Sequence, residues 1–251
     1  MTDNTLYEEQ TAQKLLLWEK ELLKPPSMLE RTSKSISTRI NTIIPDKVHQ
    51  ALTTAVKGIV QTSLFTMDYI PKNQPLRGAS LADCDIRAEE LLSLYKKIAA
   101  AEGAGTGAGG IMLGLVDFPV LIGIKIKFLF ELAHAYGYST TNYRERLFIL
   151  YVFQLAFSSQ SKQLRLLDIV KTWEEKAGSL PPKSDQVDWR QLQQEYRDTI
   201  DFRKMLQMIP GIGAVVGAWA NYGLLDELGQ TGMNAYRMRR LQDKDASYNA
   251  D

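Results

Sequence analysis

The sequence is poor in the residues that most often do chemistry. Cys84 is the only cysteine, and His49 and His134 are the only histidines. A single thiol excludes an intramolecular disulfide and a cysteine-built zinc site, and it suits a reducing compartment. Neither sign of charge is in excess: 30 Lys and Arg stand against 29 Asp and Glu. No global field therefore draws the chain towards nucleic acid or an acidic substrate. Sustained period-two alternation and clusters of β-branched residues are missing, which excludes an extensive sheet. A G-x-S-x-G elbow, an H-E-x-x-H helix and a Cys/His pair are absent as well, so no motif calls for a catalytic residue, a metal or a cofactor. The first residues, Met1-Thr2-Asp3-Asn4-Thr5, have neither the basic nor the apolar part of a signal peptide, and the expected location is cytoplasmic.

What is present is helical punctuation. Thr5 with Glu8 opens a helix carrying Leu15, Trp18, Leu22 and Leu23, and Pro25-Pro26 stops it. Ser27 with Glu30 opens a second, and a third follows Pro45 with Val48, Leu52, Val56, Ile59 and Val60 on one face. After a polar loop from Pro71 to Ser80, a fourth helix is predicted from Asp83 or Asp85 into the glycine-rich run at 103–110. A fifth is predicted from Phe118 to Tyr136, with Asp117 as cap, Pro119 in its first turn and Gly137 as its stop. Asn142 with Glu145 opens an apolar helix, and another runs from Lys162 to Lys176. A polar helix leads to Met208, and Pro210 introduces a second glycine-rich helix through Leu228 towards Arg240. The fold class expected is all-α, a single multi-helix domain over residues 5–242 with two packed glycine-rich helices and a frayed tail over 243–251.

The glycines are spaced for a purpose. Gly103, Gly107, Gly110, Gly114 and Asp117 step by four, three, four and three, and Gly213, Gly217 and Asn221 step by four. Each series lies on one helical face. A glycine inside a helix costs about 1 kcal/mol against alanine, so such faces need a compensating gain. Close approach of two backbones supplies it, either in a packed protein core or in a membrane-seeking hairpin that faces lipid. Asp117 and Asn221 end the two faces and form a candidate buried polar pair. Both glycine-rich stretches are long enough to span a bilayer, yet they are poor in leucine and interrupted by Asp117, Gln207, Asn221 and prolines. Gly105-Thr106-Gly107-Ala108-Gly109-Gly110 matches G-x-G-x-x-G, but it follows an alanine-rich helix where a dinucleotide site needs a strand.

Two further patterns have a bland and a sharp meaning. Glu131 and His134 form Glu-x-x-His on one helical face, the motif that di-iron bundles use twice; there is no second copy, and a structural histidine is the expected reading. Arg31, Lys34, Arg39, Lys47 and Lys57 form one basic run, and Arg237, Arg239, Arg240 and Lys244 another. Such runs are usually solvated helix faces; the alternative is attraction to anionic lipid, at about 1 kcal/mol per side chain.

Several segments together carry a family resemblance. They are Ala100 to Gly110, Leu115-Val116-Asp117-Phe118-Pro119, Ala135-Tyr136-Gly137-Tyr138, and Ile209 to Gly217 with Asn221-Tyr222. Ile44-Pro45-Asp46-Lys47-Val48 with the helix after it belongs to the same set. In this order they resemble the EcsC family, from about Leu6 to Leu241. The resemblance implies a bacterial accessory protein working beside the ATPase and membrane subunits of an ABC transporter, and it supplies no catalytic residue. The function expected is a non-enzymatic interaction protein, cytoplasmic or peripheral on the inner membrane face, with transporter subunits and an anionic membrane surface as partners. Two alternatives stand beside it: a carrier or sensor of an apolar ligand held between the glycine-rich helices, and a hydrolytic enzyme using Asp117 or Asn221.

Overall fold

A computed structural model describes residues 3–24, 60–64, 69–107, 110–180 and 214–248, with 54 and 58 as isolated positions. Within these, side-chain surroundings are described except at 3, 105–118, 160, 214–220 and 245–248. The helices expected from Ser27 and between the polar turn and Met208 lie outside the described residues, as does most of the helix after Pro45. Seven helices have both ends among the described residues: α1 (Asp3–Leu22), α2 (Leu81–Gly107), α3 (Gly110–Ala135), α4 (Tyr143–Phe157), α5 (Gln160–Lys171), α6 (Trp173–Ser179) and α7 (Ala214–Tyr248); residues 60–64 are helical as well. The protein is all-α, one helical domain, and no strand occurs among the described residues.

Local chemistry sets the ends of these helices. Ser80 caps α2: its hydroxyl accepts from the Asp83 amide at 3.1 Å and donates to the Asp83 carboxylate at 2.6 Å. The helix therefore starts at Leu81, ahead of the expected Asp83 or Asp85, because serine is the better cap and Asp83 its partner. At the end of α3, Tyr138 N–H donates to the Ala133 carbonyl at 3.0 Å and Gly137 N–H to that of His134 at 3.0 Å. Gly137 holds φ +89, as this left-handed stop requires. Asn142 caps α4 by accepting from the Arg144 amide at 3.0 Å. The single helix expected from Lys162 to Lys176 breaks at Thr172 into α5 and α6.

One expectation is corrected by the start of α3. The helix begins at Gly110, so Asp117 lies inside it and not at its N-terminal boundary, and Pro119 lies inside it too. Apolar residues 111–116 continue the turn back past Asp117, at the cost of one backbone bond that Pro119 cannot make. The glycine series is accordingly split. Gly103 and Gly107 close α2, while Gly110 and Gly114 open α3. Gly103 is buried. On α7 lie Gly217 and Asn221, and Gly213 is outside the described residues. Whether the two glycine faces meet, and whether Asp117 approaches Asn221, rests on side chains outside the described residues.

Helix α7 is the centre of the molecule: its 35 residues pack against α2 above all, and also against α1, α3, α4 and α5. Pairs along α2 and α7 run in opposite directions, Asp85 with Arg237, Leu92 with Gly229 and Lys96 with Asp226. Two described glycines of this helix permit the closest approaches between helices. A Cβ on Gly229 would stand 2.4 Å from a Leu92 methyl of α2, and one on Gly232 would stand 2.6 Å from a Leu132 methyl of α3. They continue the Gly217–Asn221 spacing through Leu225, so the face is twice as long as the sequence reading made it. Helix α4 is buried along almost its whole length, as its apolar run predicts. Helix α7 passes the expected boundary at 242: Asp243 accepts from the Tyr138 hydroxyl at 2.7 Å, and Lys244 pairs with Glu8 of α1.

Candidate functional site

Three polar clusters stand out, and two of them hold the fold. Asp85 on α2 is buried and accepts from the Tyr7 hydroxyl at 2.6 Å, from the Tyr136 hydroxyl, and from Arg237 Nε at 3.0 Å to each oxygen. Burial, then the bond to Asp85, pushes the Tyr7 hydroxyl up to about 12. On the opposite side of α7, Arg239 donates to both oxygens of Glu145 at 3.1 and 2.9 Å, and to Glu174 at 2.8 and 3.1 Å. Its guanidinium lies 4.0 Å from the centre of the Tyr138 ring and 4.4 Å from that of Phe148. Tyr236 completes the cluster, donating to Glu145 at 2.6 Å. Arg240 donates to the Ala79 carbonyl. The arginines of the basic run at 237–244 thus turn inward, while Lys244 is exposed. These arginines hold internal carboxylates and a loop carbonyl, and Lys244 ties α1. Glu145, expected to complete a capping box with Asn142, turns into the core to meet Arg239.

The third cluster is Lys125 on α3, fully buried, with Nζ donating to Asn221 Oδ1 of α7 at 3.1 Å. Burial pulls its pKa down to about 7. Asn221 is therefore a packed, hydrogen-bonded amide, with Lys125 as its described partner. Sequence reasoning missed Lys125. The signal was there: it shares a helical face with Ile122, Leu129 and Leu132, all core residues.

Among the described residues, an open cleft of about 600 Å³ lies between the 70–77 loop and helices α2 and α3. Lys72, Arg87 and Lys127 line it together with Glu131 and His134, and Ile70, Leu76 and Leu91 supply apolar wall. Its floor is built by His134. The ring accepts or donates at both nitrogens, to the Asn73 carbonyl at 2.9 Å through Nδ1 and to the Thr140 hydroxyl at 3.0 Å through Nε2. A carbonyl can only accept, so Nδ1 carries the proton and Nε2 receives the Thr140 hydroxyl. Burial lowers the pKa of His134 and keeps this neutral tautomer. The Leu76 amide donates to the His134 carbonyl at 2.9 Å, and Arg146 donates to the Thr140 and Thr141 carbonyls at 2.9 Å each. Glu131 accepts from the Tyr95 hydroxyl at 2.8 Å. The histidine is structural, as expected, and no group of three or more metal-ligating side chains occurs among the described residues. Nor is any helix among them long and apolar enough to cross a membrane.

Comparison with known proteins covers nearly the whole chain. The model of the EcsC protein family matches residues 9–241. Protein EcsC of Bacillus subtilis (strain 168) is 42% identical over 243 residues, covering 97% of this chain and 98% of that protein. The uncharacterized protein YdbA of the same strain is 28% identical over 245 residues, covering 94% and 90%. No solved structure matches.

Proposed function

We propose, from the premise that this chain belongs to the EcsC protein family, that it is a non-enzymatic interaction protein, an accessory of an ABC transporter bound peripherally at an anionic inner membrane face. The observation that supports a binding role over chemistry is the state of the cleft. Its one histidine has both ring nitrogens bonded to the protein's own groups, so the imidazole keeps neither a free lone pair nor a free proton. A general acid or base needs a free lone pair or proton aimed at substrate. What faces the opening instead is cationic, Lys72, Arg87 and Lys127, which suits attraction to an anionic surface. The transporter as partner comes from the family resemblance alone.

Reconstitution tests this reading. The ATPase and membrane subunits of a transporter are placed in vesicles rich in anionic lipid, and the purified chain is added. It is expected to float with the vesicles, to leave them at high salt, and to cross-link to a transporter subunit. A chain that cross-links to no subunit and leaves the ATPase rate unchanged overturns the transporter assignment, and flotation that survives high salt overturns peripheral attachment.

A further inference from the structure

We infer that the cleft between the 70–77 loop and helices α2 and α3 is a binding site for an amphipathic anion, a carboxylate or phosphate carried on an apolar chain. This does not depend on the transporter reading. Its size falls among small-molecule sites, and its lining divides into two regions of different chemistry. Lys72, Arg87 and Lys127 set three positive charges against Glu131 alone. Lys72 and Lys127 have no ion-pair or hydrogen-bond partner among the described residues. Arg87 pairs only with Glu90, at 2.9 Å on the open surface, where both side chains are about half exposed or more. Such a pair is worth little and exchanges readily for a better anion. Glu131 supplies one negative charge against three positive ones, and the Tyr95 hydroxyl holds its Oε1 at the wall.

The other region is apolar. Leu76 is 40% exposed although it sits on a rigid loop, and Ile70 and Leu91 extend the same wall. An exposed leucine beside three cations gives a chain-bearing anion contacts for both its parts, which neither inorganic phosphate nor a neutral alcohol can match. The site is also formed in advance. His134 holds Asn73 through its ring and Leu76 through its carbonyl, and a Cβ on Gly137 would stand 3.1 Å from the Leu76 carbonyl oxygen. The loop is therefore seated directly on the end of α3, and binding has little ordering to pay for.

Dodecyl phosphate, kept at concentrations where it is monomeric, is the probe. Calorimetric titration of the full chain is expected to give saturable one-to-one binding, at least about tenfold tighter than inorganic phosphate and than dodecanol. Lys127→Glu should weaken dodecyl phosphate about tenfold or more by removing a charge-assisted contact, and Leu76→Glu should do so through the chain. Both side chains are exposed, so both variants should keep the wild-type melting temperature. Absence of saturable binding, binding equal to that of inorganic phosphate, or full affinity in both folded variants overturns the inference. A second arm separates the sources. Vesicles containing dodecyl phosphate that retain wild type and release Lys127→Glu place the amphiphile in the bilayer; monomer binding without vesicle binding makes it a free metabolite. Failure of the transporter cross-linking leaves this titration untouched, and the reverse also holds.

Discussion

Lys125 carries an amine through the middle of a helix interface, with burial complete and an amide for company. The charged form is disfavoured there, so the folded state gives up its proton near pH 7, whereas the unfolded chain keeps it to about 10.4. Between these values the unfolded state binds more protons, and stability rises with pH. Lys125→Met should therefore stabilise the protein at neutral pH, by about 1–4 kcal/mol on the precedent of buried ionic groups replaced by apolar ones. The advantage should shrink as pH rises from about 7 towards 10. Melting temperatures of the two proteins across that range check it, and an advantage constant with pH would falsify it. Nothing local in the sequence separates Lys125 from Lys127, two residues on, which lines the open cleft. Helical periodicity separates them, since only the former falls on the face of Ile122 and Leu129.

At the scale of elements, glycine has opposite values at two places on α7. Gly229 rests against Leu92, and nothing stands within 4 Å of where a Cβ on Gly223 would be. Gly223→Ala should raise stability by up to about 1 kcal/mol through helix propensity alone. Gly229→Ala crowds a buried leucine and should lower stability, by about 1–3 kcal/mol before that propensity gain is subtracted. Urea unfolding of both variants reads the difference, and equal signs would refute close packing as the reason for Gly229. Gly78 is a different case: it lies in open space at φ +77, so a side chain there is strained by the backbone alone. The register of α2 on α7, extended past Lys96 and Asp226, brings Gly103 level with residues 217–219. Gly103→Cys with Gly217→Cys, in a Cys84→Ser background, should form a disulfide on mild oxidation, detected by gel mobility. A pair that stays reduced would put the two glycine faces against different neighbours. The elements themselves were legible, because Ser, Asn and Gly at their ends act within three or four residues. The join of α2 to α3 was harder to read: the spacing of glycines runs through it unbroken, and periodicity does not report where a helix turns back.

Across the whole molecule, two arginines two residues apart fix α7 from opposite sides. Their carboxylates lie 152 and 94 positions away in the chain, which is why a basic run on paper became two internal ion pairs. Arg239→Ala would leave Glu145 buried beside Tyr236 without its cation, and should cost about 3–5 kcal/mol. The surface pair Arg87–Glu90 should cost less than about 1 kcal/mol when broken. Chemical denaturation midpoints compare the two directly, and similar losses would mean that the Glu145 cluster is hydrated. The cleft was half legible for the same reason. Glu131 and His134 were visible as a pair on one face, with Lys127 on the same helix, but the loop with Lys72 and Arg87 of α2 come from separate parts of the chain. The helix that fills the centre comes after the others in the chain, so α2, α3 and α4 can pack on one another first, but the faces turned to α7 stay bare until Ala214 to Tyr248 has emerged. The native core is therefore completed only when α7 joins the helices that precede it, and an intermediate lacking α7 would expose the apolar faces it covers.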